Sequence, residues 1–152
     1  MKPKSYRKKA TRQPAVRKRQ LELLSRANEV VEQLRKELPQ LLAVAVVDVA
    51  SGTSLAAHTS SPALDLLTAA KFQAGLVQRK HEALAALNLP DEQLEDIMIT
   101  LSSQLHLLRL SSTGARLISL VVDARTTNLA LARDILRTRA EQLDIVPGLR
   151  AA

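Results

Sequence analysis

Apolar residues recur along the chain at spacings that predict eight elements. From residue 20 onward Leu23, Leu24, Ala27, Val30, Val31, Leu34 and Leu38 return every three or four positions, the period of one helix face. Glu32 stands four residues ahead of Lys36 on the polar side, and Pro39 stops the helix. Residues 42–49 follow with hardly a polar position, the signature of a strand covered on both faces and therefore central in its sheet. Ala50-Ser51-Gly52-Thr53 turns the chain back into a second strand, residues 54–58. Ser61-Pro62 then reads as the N-cap and first residue of a long helix that reaches about Leu87, before Pro90.

The apolar positions of that long helix fill an arc of roughly 200°, wider than a surface helix needs. One side carries the bulkier Leu66, Phe72, Leu76, Leu84 and Leu87, the other Ala63, Leu67, Ala70, Ala74 and Ala85. One side must cover the helix's own sheet, and the small-residue side is expected to stay free for close approach by a second helix. Beyond Pro90, residues 94–101 alternate, with Ile97, Ile99 and Leu101 on one face. Turns at Ser102-Ser103 and at residues 111–114 lead to two further strands, residues 104–110 and 116–123. Leu117-Ile118-Ser119-Leu120-Val121-Val122 marks the second of these as another central strand. Thr126 or Thr127 is positioned to cap a last helix with Leu129, Ala132, Leu136, Ala140 and Leu143 on one stripe. The predicted order is α-β-β-α-β-β-β-α. It implies an α/β (α+β) fold, a five-stranded, mostly antiparallel sheet with helices on both faces.

Composition changes this picture at the chain's beginning. Nine cations (Lys2, Lys4, Arg7, Lys8, Lys9, Arg12, Arg17, Lys18 and Arg19) and no acid fall within residues 1–20. Setting them aside leaves 13 cations against 15 acids, a net of −2 over residues 21–152, so the overall charge of +7 belongs to an arm. With two prolines and almost no apolar periodicity, residues 1–19 are expected to form a disordered basic arm. The domain is expected over residues 20–146, and a tail over 147–152 after Pro147-Gly148 is approached. At 46% apolar the chain has enough greasy surface for one independent core. The arm suits an anionic partner, nucleic acid or a membrane surface, and equally suits a solubilising tail. The absence of cysteine, of a roughly 20-residue apolar span and of a secretory signal core points to a cytoplasmic protein.

No pattern of catalytic residues emerges. The four glycines, at 52, 75, 114 and 148, have no phosphate-cradling spacing. His58, His81 and His106 are far apart without a second ligand at metal spacing. Asp91, Glu92, Glu95 and Asp96 read as a solvated charge cluster at a strand entrance, and Asp123, Arg125 and Asn128 as turn and cap residues. The expectation is no enzyme, no metal and no cofactor.

The stretch Asp96-Ile97-Met98-Ile99-Thr100 through His106-Leu107-Leu108-Arg109-Leu110, then Leu120-Val121-Val122-Asp123 and Asn128-Leu129-Ala130-Leu131-Ala132-Arg133, resembles the C-terminal signature of the roadblock/dynein light chain family. Val46-Val47-Asp48 with Ser51-Gly52 is similar to that family's first hairpin. The resemblance covers about residues 21–143 and departs where the family often has a glycine ahead of the first strand, here Pro39-Gln40-Leu41. It implies a profilin-like/roadblock fold and a homodimer in which the long helix pairs with its counterpart and two strand edges join. It further implies a scaffold that binds and regulates a small Ras-like GTPase without a catalytic side chain of its own. The apolar strand at residues 94–101, lacking proline or lysine, would be an aggregation hazard as a bare edge. Ala63, Leu67, Ala70, Ala74, Ile97 and Ile99 are the expected dimer contacts.

Overall fold

A computed structural model describes residues 13–145. Its elements are α1 (Gln13–Glu37), β1 (Leu41–Asp48), β2 (Ser54–Thr59), α2 (Leu66–Ala86), β3 (Asp96–Thr100), β4 (Gln104–Leu110), β5 (Arg116–Asp123) and α3 (Leu129–Leu143). The five strands form one sheet in the order β2-β1-β5-β4-β3, each neighbour antiparallel. β1 and β5 are central, as their unbroken apolar runs predict. Val44, Val46, Ile118, Leu120 and Val122 face a core closed by α1 and α3. Ala45, Val47 and Leu117 face a second core closed by α2. β3 bonds to β4 alone, which makes it an edge.

All three helix starts differ from the sequence expectation. α1 begins at Gln13, so Arg17, Lys18 and Arg19 belong to a helix and not to the arm; Lys2, Lys4, Arg7, Lys8, Lys9 and Arg12 lie outside the described residues, as does the 147–152 tail. The first turns bury nothing, so no apolar period betrays them. Arg, Lys, Gln and Ala simply extend a helix that packing anchors further along, and Pro14 is tolerated in its first turn. α2 begins at Leu66, not after Ser61. Asp65 is the N-cap, its Oδ1 accepting the Leu67 and Thr68 N–H groups at 3.1 Å each. Ser61 instead closes a turn, its carbonyl accepting the Leu64 N–H. A carboxylate serving two orphan amides is the better cap. Asn128, not Thr126 or Thr127, caps α3 by accepting the Leu131 N–H, while Asp123 Oδ1 holds the turn before it through the Arg125 and Thr126 amides.

The turn between β1 and β2 reaches under α2. Gly52 has φ +68°, and a Cβ there would stand 3.3 Å from the Lys71 Cα. Gln78 donates to the Val49 carbonyl at 2.8 Å from the same helix. These contacts fix how close α2 lies to its sheet and how it is rotated.

Candidate interaction surface

The rotation of α2 reverses the sequence expectation. Ala70 and Ala74, at 0% and 2% exposure, are packed with Val77 against Ala45, Val47, Leu108, Leu110 and Leu117 of the helix's own sheet. They are not available to a partner copy. Only small side chains let the helix backbone come as near the Gly52 turn as it does. The bulkier side is the one turned outward, with Phe72 76% and Leu76 40% exposed, and Leu87 exposed beyond them.

The outward side has a direction. Lys71 and Gln78 point toward the β1–β2 turn. On the other flank Leu66, Ala69 and Gln73 overlook Ala45, His106, Ser119 and Val121 around a cavity of about 50 Å³. At 100° per residue, Phe72 and Leu76 lie just outside that second flank, the one facing β4 and β3. Leu67, though 69% exposed, lies over the opposite flank, four residues before Lys71. Ala63 sits exposed in the turn ahead of the helix. Of the six expected contacts, then, Ile97 and Ile99 share a side of the molecule with the exposed stripe of α2. Ala63 and Leu67 are peripheral to it, and Ala70 and Ala74 are core. Phe72 and Leu76, legible in the sequence as an apolar stripe whose size suits the inside, stand on the outside.

β3 completes the surface. Ile97 packs on the α2-side core opposite Leu108, and Ile99 pairs with His106, both half-buried. At the strand's two ends the Leu110 N–H bonds the Glu95 carbonyl and the Leu101 N–H bonds the Gln104 carbonyl. In an antiparallel ladder bonded pairs alternate, so the odd positions of β3 bond β4. The N–H and C=O groups of Asp96, Met98 and Thr100 therefore point to the open edge. Met98 is exposed there. The strand's start is tethered to α3: Arg133 Nη2 donates to Asp96 Oδ2 at 2.8 Å, and Arg109 lies between Glu95 and Asp96 at 3.4 and 3.6 Å. The hydrogen bond to Asp96 and its charge hold the Arg133 pKa above the ordinary arginine value. Burial lowers the His106 pKa, and its Nε2 lies 3.1 Å from Gln104 Oε1.

A polar recess of about 450 Å³ lies at the end of the sheet where β3 begins and β4 ends. Among its charges Arg109 pairs with Glu95 and Arg137 with Glu141, and Ser111 Oγ accepts the Arg116 N–H. Among the described residues no group of three His, Cys, Asp or Glu side chains is arranged to hold a metal, and no helix is long and apolar enough to cross a membrane.

No protein-family profile matches the sequence, and no curated protein is similar to it at a significant level. Solved structures do match. Myxococcus xanthus MglB superposes with a TM-score of 0.70 at 17% identity, over 79% of this chain and 86% of that one. A roadblock/LC7 domain from Streptomyces avermitilis does so at 0.66 and 12% identity, over 76% and 92%. An MglB with tetrameric arrangement does so at 0.67 and 22% identity, over 80% and 87%. Similarity spread over most of both chains places the chain in the roadblock/LC7 fold.

Proposed function

We propose that this chain is a non-enzymatic, cytoplasmic homodimer that binds a small Ras-like GTPase and regulates it as a platform. The observation that carries the dimer is the side-by-side placement of the Phe72–Leu76 stripe and the open β3 edge. A second copy related by a twofold axis would cover both at once, pairing α2 with α2 and β3 with β3. Ile97 and Ile99 stay among its contacts, Phe72 and Leu76 join them, Ala63 and Leu67 fall to the rim, and Ala70 and Ala74 leave the set. The tetrameric arrangement named for one similar structure supports self-association. The GTPase partner rests on the fold and on the roadblock-like motifs of β3, β4, β5 and α3.

Light scattering of the purified protein tests the first half: a mass of two chains is expected, and Phe72→Glu should return one. Titration of the protein against a small Ras-like GTPase from the same genome, in its GDP and GTP forms, tests the second. Equal failure to bind either form overturns the regulatory role while leaving the dimer intact.

A further inference from the structure

α1 runs beyond the domain it helps to build. Its first fully buried residue is Ala27, and residues 14–21 stand in solvent. This projection, about 12 Å long at 1.5 Å per residue, carries Arg17, Lys18 and Arg19, with Arg26 at its base. Among the described residues none of these four lies within ion-pair distance of a carboxylate, whereas the arginines of the sheet and of α3 are all paired. The fold adds a cation from far along the chain. Arg116, at the start of β5, lines one groove of about 710 Å³ with Lys18, Arg19 and Arg26; Glu22 and Asp144 are its acids, and Arg116 lies 3.5 Å from Asp144. The twelve residues before α1 contribute six more cations and no acid.

We infer that this basic end of α1 is a docking surface for double-helical nucleic acid, held through its phosphates. Neighbouring helical side chains project 100° apart, so Arg17, Lys18 and Arg19 between them cover more than half of the helix circumference. A flat anionic bilayer meets one side of a helix. Two phosphate strands flanking a groove meet several sides together. Membrane insertion would also need an apolar stripe, yet the exposed Val16 and Leu21 lie about 140° apart. A single strand would need stacking groups, and Tyr6 is the chain's sole aromatic outside α2. Lys and Arg contacts to phosphates carry no sequence information, so binding is indifferent to base sequence.

The test uses the full chain and the triple variant Arg17→Gln/Lys18→Gln/Arg19→Gln, which keeps good helix formers at all three positions. Fluorescence anisotropy with a labelled random-sequence DNA duplex, repeated over a salt series, reads the slope of log affinity against log salt. Each phosphate contact contributes about 0.9 to that slope, so the variant's should be shallower by about 3. Its circular dichroism and light-scattering mass should match the parent's, which separates this result from failure of the dimer. The inference is overturned by absence of salt-sensitive duplex binding. Equal slopes for parent and variant also overturn it, as does binding to phosphatidylserine-rich vesicles under conditions where the duplex is not bound.

Discussion

Truncating Phe72 to alanine separates a surface residue of one chain from a core residue of a pair. In the single chain Phe72 is 76% exposed. A phenylalanine presents on the order of 200 Å², so about 150 Å² remains in water. Taking two-thirds of that as covered when α2 meets its counterpart, about 100 Å² per copy at roughly 25 cal/mol per Å² gives about 2.5 kcal/mol, or about 5 kcal/mol for two symmetric copies. The dimer dissociation constant should rise by roughly 3.5 decades, several thousandfold. The fold of one chain should hardly notice, since an exposed side chain leaves no cavity; the unfolding free energy from denaturant titration, measured where the protein is monomeric, should change by no more than about 0.5 kcal/mol. Val77→Ala, on the buried side of the same helix, should do the reverse, lowering chain stability by about 1–2 kcal/mol. Sedimentation equilibrium over a dilution series gives the dissociation constants. If Phe72→Ala dissociates like the parent, or lowers monomer stability as much as Val77→Ala, the outward assignment of the stripe is refuted.

Other changes test how the elements are held. Gly52→Ala should destabilise by about 1–3 kcal/mol in urea unfolding, because alanine resists φ +68° and its Cβ would press the Lys71 backbone at 3.3 Å. Gly75→Ala should raise stability by about 0.5–1 kcal/mol, since the residue is mid-helix and a Cβ there meets nothing within 4 Å; a lower melting temperature would refute this. Asp144 ties the end of α3 to the β4–β5 turn. Burial opposes its charge, but the Thr113 amide and hydroxyl, with Ser111 and Ser112, together outweigh that and hold its pKa below the ordinary carboxylate value. A depressed pKa means that the stabilisation is present above the unfolded pKa and disappears as pH falls through the folded one. Asp144→Asn should therefore be less stable than the parent at neutral pH, and the difference should shrink as pH falls below about 4. A gap that stays constant to pH 2 would remove this role.

The apolar pattern alone determined the order of elements and the two central strands. A strand sandwiched between helix layers must be apolar at successive positions, and β1 and β5 advertise that in eight residues each. It also marked β3 as a strand whose outer edge needs attention, because alternation without lysine or proline is local information. Where signals were local but competing, the outcome was partial: Ser61-Pro62 looks like a helix start, yet Asp65 supplies the cap. What tertiary structure decided was direction. With an apolar arc of roughly 200°, α2 could have lain on either side, and size alone suggested phenylalanine and leucine inward. The Gly52 turn, nineteen positions from Lys71 in sequence, sets the approach of the helix so that only alanine and valine fit beneath it. The extra turns of α1 were equally hidden, because a helix that buries nothing has no period to read, and the meeting of Arg116 with Lys18 and Arg19 exists only once β5 is folded beside α1. Periodicity reports whether a face is apolar; which face a neighbour can reach depends on the shape of residues distant in the chain.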